Sequence, residues 1–384
     1  MRFEFATAQR IIFGPGTLQE VGILAKPLST RALVVSGRDK VRSEALVALL
    51  KAQGVDVIPV LSGGEPTVQA AQEGAQRARL EACGMVIAIG GGSALDLGKA
   101  IAALATNPGD PRQYLEVIGE GRALVNRPLP FIAIPTTAGT GSEVTRNAVL
   151  ASPEHRVKVS LRHPWMLPTI ALVDSTLTHG LPADITASTG LDALTQLIEP
   201  YVSSRANPIT DAFCLDGIRR SARSLRRAFL DGEDAAARED LALASLLGGL
   251  ALANAGLGAV HGLAAPLGGM RPVPHGVACA ALLPQVWQAN VRALRARAPG
   301  SPALARFEDV ARLLTGRAQA VAEDGEVWIA DLAREMEIPR LSRFGLREAD
   351  IPALVASGMK ASSMQANPVQ LEAEELSDTL LRAL

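Results

Sequence analysis

His261 and His275 are two of the chain's five histidines, and both stand in the apolar, Gly- and Pro-rich stretch HGLAAPLGGMRPVPHG. Asp192 and Gln196 are four residues apart in GLDALTQLIE, a helical pattern that places both side chains on one face. Two imidazoles and a carboxylate together would suit a borderline divalent metal. Taken singly, each histidine is more often a hydrogen-bonded core residue and the aspartate a capping or solvated one, so spacing alone leaves both interpretations open.

A glycine loop that leads into a helix predicts an anion-binding site in the first half of the chain. The stretch GMVIAIGGGSALDLGKAIA (84–102) runs from a strand pattern through Gly90, Gly91 and Gly92 into a helical pattern, with Ser93 at the expected N-cap. Free N–H groups and the helix dipole converge at such a helix start, which favours a phosphate. A tight turn without a ligand is the alternative, and no GK[ST] follows that would indicate a Walker A loop.

A second loop of similar kind, IPTTAGTGSEVT (134–145), also follows an apolar strand pattern. It carries five hydroxyl side chains: Thr136, Thr137, Thr140, Ser142 and Thr145. Open α/β sheets bind ligands in a crevice outside the carboxyl ends of their strands. The two loops therefore predict one shared crevice, with a merely polar turn as the alternative.

Five short apolar runs bounded by Gly or Pro predict strands buried on both faces of a parallel sheet. They are RALVVSG (31–37), VDVIPVL (55–61), GMVIAIG (84–90), PFIAIPT (130–136) and TIALVD (169–174). Helical patterns such as EALVALLKAQG (44–54) alternate with them, which predicts a doubly wound, Rossmann-like α/β layer. After about Gly180 only helical periods remain. A length of 384 residues also favours two domains, so we expect an α/β domain over residues 1–180 and an all-α domain over residues 181–384.

Composition narrows the class of protein. Lys and Arg number 38 against 39 Asp and Glu, so a net charge of −1 offers no basic surplus for nucleic acid. The three cysteines, Cys83, Cys214 and Cys279, are far apart and form no CxxC pair.

The N-terminus MRFEFATAQR lacks the apolar core of a signal peptide, which predicts a cytoplasmic protein. Residues 244–270 carry no charge, yet their many Gly and Ala residues favour buried helices over a membrane span.

Ordered motifs along nearly the whole chain resemble those of the iron-containing, group III alcohol dehydrogenases, which have a dehydroquinate synthase-like fold. The motifs are FGPGTL, GGGSALDLGKAIA, PTTAGTGSEVT, LVDSTLTHGLP, GLDALTQLIEPYVS, ANPITDA, HGLAAPLG, PHGVACAALLP and SSMQANP. The resemblance implies that residues 1–180 bind a nicotinamide dinucleotide and that residues 181–384 hold the substrate and one divalent metal. It also implies that the active site is the cleft between the two domains.

The metal ligands implied by the resemblance are one Asp and three His. Asp192, His261 and His275 match three of these ligands and would form the catalytic centre. The remaining histidine falls on Gln196, a weak neutral oxygen ligand, so we expect either Gln196 or a water in the fourth position. A further family histidine, associated with substrate and proton handling, falls on Ala265. The expected ion is iron or zinc.

The resemblance also assigns contacts to the nucleotide. They are Gly91, Gly92 and Ser93 for the pyrophosphate, Thr136, Thr137 and Ser142 for the nicotinamide side, and Lys158 for the ribose. NAD-preferring members have an acidic residue after the first strand, where this chain has Gly37 followed by Arg38. Glycine leaves room for a 2′-phosphate and arginine can pair with it. We therefore expect NADP in preference to NAD, although Asp39 close by opposes that preference.

These features predict a metal-dependent, NAD(P)-dependent alcohol dehydrogenase or aldehyde reductase for a small alcohol or aldehyde. The metal would polarise the substrate oxygen, and hydride would pass between the substrate and the nicotinamide. A metal-free reductase of the maleylacetate type is an alternative that Gln196 favours and Asp192 opposes. A non-catalytic nucleotide-binding protein with a degraded metal site is a third possibility. The N-terminal MRFEFATAQRIIFG resembles the strand exchanged at the family's dimer interface and predicts a homodimer.

Overall fold

The computed structural model describes residues 2–37, 39–155 and 157–384, and of Lys40 only the backbone. Arg38, which we assigned to the nucleotide, lies outside the described residues. The chain divides into two compact units. One comprises Ala6–Thr137 and Gly141–Thr178, and the other comprises the N-terminal residues to Phe5, Ala138–Thr140 and His179–Leu384. The functional division at residue 180 stays a prediction.

The first unit is built on a six-stranded sheet in the order β1-β8-β5-β4-β2-β3, and all of its strand pairs are parallel. Its strands are β1 (Arg10–Phe13), β2 (Arg31–Ser36), β3 (Asp56–Leu61), β4 (Met85–Gly90), β5 (Phe131–Pro135) and β8 (Ile170–Val173). Its helices are α1 (Val21–Ala25), α2 (Lys40–Ala52), α3 (Val68–Leu80) and α4 (Gly92–Thr106). The five predicted strands are confirmed, and so is the doubly wound α/β class. The expected burial on both faces is wrong for β3, which lies at the edge of the sheet and has no buried residue.

Both faces of this sheet are covered, which explains why its strands read as continuous apolar runs. Side chains of β4 alternate between two clusters: Val86 packs with residues of α3 and α4, whereas Ile87 packs with residues of α1 and α2. The edge strand β1 pairs only with β8 in this sheet. The homodimer predicted from this N-terminal segment stays a prediction.

A two-stranded antiparallel hairpin was missed by the sequence analysis. It consists of β6 (Asn147–Ser152) and β7 (Val157–Arg162) and directly follows the hydroxyl-rich loop. Burial alternates along β6, because one face of the hairpin joins the core of the first unit and the other does not. Strands of this kind lack the continuous apolar run by which the other strands were recognised.

The turn from β4 into α4 requires glycine. Gly90 has a φ of 156°, and a Cβ added there would lie 2.7 Å from the Cβ of Ala94. Helix α4 begins at Gly92, and its N-cap is Gly91 with no side-chain cap. The expectation that Ser93 caps this helix is therefore wrong. A backbone without a capping side chain leaves the first N–H groups of α4 available to a ligand.

The second unit is helical, as predicted, and the described residues after Val173 form no further strand. Its helices are α5 (Ala183–Val202), α6 (Pro208–Leu230), α7 (Ala235–Ala255), α8 (Ala259–Met270), α9 (His275–Arg297), α10 (Pro302–Thr315), α11 (Ala322–Glu335), α12 (Ile351–Gly358) and α13 (Ala373–Ala383). Helix α5 is central, since it packs against α6, α7 and α9.

The uncharged stretch at residues 244–270 forms the second half of α7 and all of α8. Most of its residues are buried within the unit. Within the described residues, no single helix has the length and apolar character to cross a membrane, although α7 and α8, bent by 98° from each other, pass that test as a pair.

A buried lysine anchors the loop between β5 and β6 to α4. Lys99, 1% exposed, donates hydrogen bonds from Nζ to the carbonyl oxygens of Ser142 and Asn147 and to Thr145 Oγ1. Its Nζ also lies 3.2 Å from Asp96 Oδ1, which in turn accepts a hydrogen bond from Ser142 Oγ at 2.6 Å. Burial lowers the pKa of Lys99, and the neighbouring Asp96 opposes that change.

Replacing this lysine tests whether it holds the loop in place. The Lys99→Met variant keeps the length of the side chain but removes the ammonium group that binds the three acceptors and offsets the charge of Asp96. We expect the free energy of unfolding to fall by about 3–5 kcal/mol, the loss typical of breaking a buried ion pair. Urea titration of the variant measures this change. The exposed Lys51→Met variant is the control and should stay within about 0.5 kcal/mol of wild type; equal stability of the two variants would contradict the anchoring role.

Candidate functional site

The structure brings Asp192, His261 and His275 together in the helical unit. They come from three helices, with Asp192 on α5, His261 in the first turn of α8 and His275 at the first position of α9. Asp192 Oδ1 lies 3.4 Å from His261 Nε2 and 3.8 Å from His275 Nε2. Asp192 and His261 are 2% and 5% exposed, whereas the side chain of His275 is 39% exposed. The site therefore has a buried end and an open end.

Cys279 completes this cluster and was missed by the sequence analysis. It is fully buried, and its Sγ lies 3.7 Å from the Nε2 atoms of both His261 and His275. Donor atoms of Asp192 and these three residues all lie within 4.8 Å of one another. The signal in the sequence was the spacing, because residues four apart on a helix share a face and Cys279 follows His275 by four.

Glu199 orients the imidazole of His261. Glu199 Oε2 lies 2.7 Å from His261 Nδ1, and Glu199 Oε1 accepts a hydrogen bond at 2.7 Å from the backbone N–H of Val260. One carboxylate therefore binds both the start of α8 and its histidine. With Nδ1 bound to Glu199, Nε2 is the ring nitrogen of His261 that faces Asp192 and Cys279. Glu199 was also missed, although it lies seven residues after Asp192 and hence on the same face of α5.

The C-terminal motif SSMQANP fixes the same helix start from the other side. Asn367 Oδ1 accepts a hydrogen bond from the backbone N–H of Ala259 at 3.0 Å. The amide nitrogen of Asn367 donates to Asn290 Oδ1 on α9 at 2.6 Å and to the carbonyl of Val369 at 2.7 Å. A residue that is 108 positions away in the chain therefore links α8 to α9.

A glycine allows α9 to approach α5 closely beside His275. A Cβ added at Gly276 would lie 2.6 Å from the backbone oxygen of Ser188. Any larger residue would force the start of α9 away from α5, and His275 with it. The requirement for glycine at this position thus follows from the contact between the two helices that carry His275 and Asp192.

Burial and neighbouring charges shift the pKa values of the cluster in different directions. Burial would raise the pKa of Asp192, but the imidazoles of His275 and His261 hold it below its ordinary value. Burial also opposes a charged His261, yet the buried carboxylates that face it, Glu199 and Asp192, raise its pKa well above the usual value. Burial and the nearby Asp192 raise the pKa of the Cys279 thiol to about 12.

Gln196 and Ala265 occupy the two positions where the resemblance implied histidines. Gln196 is 3% exposed on α5, and no described residue forms a hydrogen bond with its Oε1. Asp192 Oδ1 likewise forms no hydrogen bond with a described residue. Ala265 lies one turn after His261 on α8 and is exposed.

In the α/β unit, a cavity of about 170 Å³ lies at the carboxyl ends of β2, β4 and β5. It is lined by Gly37, Asp39, Arg42, Ile89, Gly90, Gly91 and Thr136. Gly37, Gly91 and Thr136 were predicted for the nucleotide, whereas Arg42 was not. Asp39 caps α2 by accepting the N–H of Arg42, and its carboxylate also lies 3.0 Å from the Arg42 guanidinium.

The other described residues that were predicted for the nucleotide do not line this cavity. Gly92 and Ser93 form the first turn of α4, and Thr137 Oγ1 lies 3.4 Å from where a Cβ of Gly91 would be. Ser142 is bound to Asp96 and Lys99. Lys158 lies on β7 and pairs with Glu65 at 2.8 Å. The roles of these residues toward a nucleotide stay predictions.

Comparison with known protein families agrees with this architecture. A family model described as "Iron-containing alcohol dehydrogenase" matches residues 8–175. A second, "Fe-containing alcohol dehydrogenase family, C-terminal", matches residues 186–384. The chain belongs to the iron-containing alcohol dehydrogenase family. It is therefore an oxidoreductase of the alcohol dehydrogenase type.

Individual members of the family resemble the chain over nearly its whole length. The 1,3-propanediol dehydrogenase of Citrobacter freundii is 36% identical, over 99% of this chain and 98% of the relative. Alcohol dehydrogenase 4 of Schizosaccharomyces pombe is 38% identical, over 95% of this chain and 85% of the relative. The crystal structure of a 1,3-propanediol oxidoreductase superposes with a TM-score of 0.92 at 34% identity and covers all of both chains.

The alcohol dehydrogenase family implies a divalent ion, and the residues of the cluster fit one. Asp192 Oδ1, which belongs to the cluster, is a buried oxygen without a hydrogen-bond partner among the described residues. A buried acceptor without a partner is costly unless a cation or a donor binds it. Imidazole nitrogen, carboxylate oxygen and sulfur are also the donor types that bind borderline metals.

Glu143, in the hydroxyl-rich loop, gives the α/β unit a pH-dependent stability. It is 2% exposed, and burial raises its pKa from 4.5 to about 7, although Lys99 opposes the shift. Folding therefore favours the protonated form, so the stabilisation is complete below pH 4.5 and is lost as pH rises through 7. This change amounts to about 3 kcal/mol, since one pKa unit corresponds to about 1.4 kcal/mol.

The Glu143→Gln variant, which carries a permanently neutral side chain, tests this dependence. We expect its free energy of unfolding to decline less than that of wild type between pH 5 and pH 7.5, as urea titrations at several pH values would measure. The exposed Glu44→Gln variant should follow wild type. Parallel pH profiles for wild type and Glu143→Gln would show that Glu143 does not titrate in this range.

Proposed function

We propose that the protein is a metal-dependent, NAD(P)-dependent alcohol dehydrogenase that interconverts small alcohols and aldehydes. The observation that carries the proposal is the buried grouping of Asp192 with the Nε2 atoms of His261 and His275, at 3.4 and 3.8 Å. Membership of the alcohol dehydrogenase family supports the reaction class. The proposed substrate, a short primary alcohol or diol, follows the names of the relatives.

Asp192, His261 and His275 would hold the ion, which when bound supplies a Lewis acid for the alcohol or carbonyl oxygen of the substrate. Asp192 contributes a negative charge that offsets part of the charge of a divalent cation. Glu199 keeps the proton of His261 on Nδ1 and so presents Nε2 as the ligand atom. The half-exposed His275 lies at the open end of the site, where a small substrate would enter.

The β4–α4 turn would bind the pyrophosphate of the nicotinamide dinucleotide, which exchanges hydride with the substrate carbon. The cavity walls at Gly90 and Gly91 are bare backbone, which allows a phosphate to approach closely. The start of α4 adds N–H groups and a partial positive charge. Thr136, 7% exposed, offers a hydroxyl at the same end of the sheet.

NADP is the proposed form of the nucleotide. Glycine at position 37 provides no carboxylate to repel a 2′-phosphate, and Arg42 lines the same cavity with a guanidinium. Asp39 is an acid nearby, but it is bound by the backbone N–H and the guanidinium of Arg42. Its charge is therefore partly offset.

The requirement for a metal is tested by aldehyde reduction with NADPH before and after chelation. We expect chelation, or the His261→Ala substitution, to lower kcat/KM by about 100-fold or more, because Lewis-acid assistance is worth several kcal/mol. The exposed His155→Ala variant is the matched control and should retain wild-type activity. Full reduction by the chelator-treated His261→Ala protein would instead favour the metal-free, maleylacetate-type alternative.

The nucleotide preference is tested by the Gly37→Asp variant. A Cβ at Gly37 would have no neighbour within 4 Å, so a side chain can be introduced at this position. We expect the ratio of kcat/KM for NADPH to that for NADH to fall by about 10-fold or more, which corresponds to about 1.4 kcal/mol of repulsion. The Gly300→Asp variant adds the same charge at another open glycine and should leave the ratio unchanged. A wild-type preference for NADH would reject the proposal.

A further inference from the structure

We propose that the thiolate of Cys279, and not the amide of Gln196, is the fourth protein ligand of the ion. The site would then consist of one carboxylate, two imidazoles and one thiolate, a set that selects Zn(II) over Fe(II) and over harder ions such as Mn(II) or Mg(II). This inference deepens the proposed function and rests on its premise that the cluster binds a divalent ion.

Cys279 is placed for this role by α9. It lies one helical turn after His275, so both side chains project from the same face of the helix. Its sulfur is fully buried and is 3.7 Å from the two nitrogens that would bind the ion. A cysteine that served only to fill the core would not need to face two imidazoles and a carboxylate.

The distances between donor atoms suit one tetrahedral ion. With a zinc–sulfur bond of about 2.3 Å and zinc–nitrogen bonds of about 2.05 Å, tetrahedral angles place sulfur and nitrogen about 3.6 Å apart. The corresponding nitrogen–oxygen separation is about 3.4 Å. The observed separations are 3.7 Å for both sulfur–nitrogen pairs, and 3.4 and 3.8 Å for the nitrogen–oxygen pairs. These four separations are within about 0.4 Å of the tetrahedral values, and all four donor atoms lie within 4.8 Å of one another.

The two candidate donors also differ in charge. A Cys279 thiolate, formed when the thiol loses its proton on metal binding, would be a second anionic ligand beside Asp192. Gln196 could offer only a neutral amide oxygen, which is a weaker donor to a borderline metal than a thiolate. The buried carboxylate of Glu199 binds His261 Nδ1 with either donor, so its charge does not distinguish them.

Cobalt substitution reads out the sulfur ligand directly. When Co(II) is added to the metal-depleted protein, a bound thiolate produces a sulfur-to-cobalt charge-transfer band in the near ultraviolet. We expect this band in wild type, in Gln196→Ala and in Cys214→Ser, which removes a buried cysteine outside the cluster. We expect no such band in Cys279→Ser, together with a loss of Zn(II) affinity of at least about 10-fold.

The absence of the band from cobalt-loaded wild type, or its survival in Cys279→Ser, would overturn the inference. If Cys279→Ser does not fold, X-ray absorption at the zinc edge of the wild-type protein decides instead. One sulfur at about 2.3 Å supports the inference, and a shell of nitrogen and oxygen alone overturns it. In a metal-competition experiment with the wild-type protein, Zn(II) should also stay bound when equimolar Fe(II) or Mn(II) is added.

Turnover measured on the same zinc-loaded protein separates the inference from the proposed function. Alcohol oxidation without a sulfur ligand would leave the function in place and reject Cys279 as a ligand. A sulfur ligand without turnover of any alcohol or aldehyde would support the ligand and reject the function. Failure to bind either Zn(II) or Co(II) would overturn both.

Discussion

Asp192 lies in the middle of α5 with 2% of its surface exposed, and a carboxylate in that position must be balanced by groups from other helices. His261 on α8 and His275 on α9 supply that balance and hold the pKa of Asp192 below its ordinary value. The packing of three helices is therefore tied to one buried charge. The lack of a side chain at Gly276 also supports this helix packing, because it lets α9 contact the backbone of α5 near Ser188.

Glu199 extends this constraint beyond the cluster. Its two oxygens bind His261 and the first turn of α8, and Asn367 binds the preceding N–H of the same helix and then Asn290 on α9. The orientation of one imidazole thus depends on residues of α5, α9 and the C-terminal segment. This network gives a physical reason for the motif SSMQANP to accompany the histidine motifs, although it contributes no residue to the cluster itself.

Sequence patterns predicted the parts of the structure that depend on periodicity and turn chemistry. The five predicted strands were recognised because each is a short apolar run, even though β3 at the edge of the sheet has no buried residue. The helical half was recognised because its apolar residues repeat with helical spacing. The hairpin of β6 and β7 was missed because burial alternates along β6, so these strands lack a continuous apolar run. Ser93 was wrongly expected to cap α4, since the backbone of Gly91 begins that helix without a side chain.

Within the candidate site, spacing along one helix could have identified more residues than it did. Cys279 follows His275 by four residues and Glu199 follows Asp192 by seven, so both share a face with a residue already singled out. No spacing in the sequence, however, predicts that α5, α8 and α9 converge, or that Asn367 reaches α8 from the C-terminal segment. Those contacts depend on tertiary packing, as do the burial of Lys99 and its bonds to the loop after β5.

The central claim is that one ion binds at the meeting point of α5, α8 and α9. Anomalous diffraction from crystals of the purified protein, recorded on both sides of the absorption edge of its metal, locates such an ion without reference to activity. The account predicts one strong peak per chain, within bonding distance of Asp192 Oδ1, the Nε2 atoms of His261 and His275, and Cys279 Sγ. No peak at that position in metal-loaded crystals, or a peak bound by other residues, would contradict it.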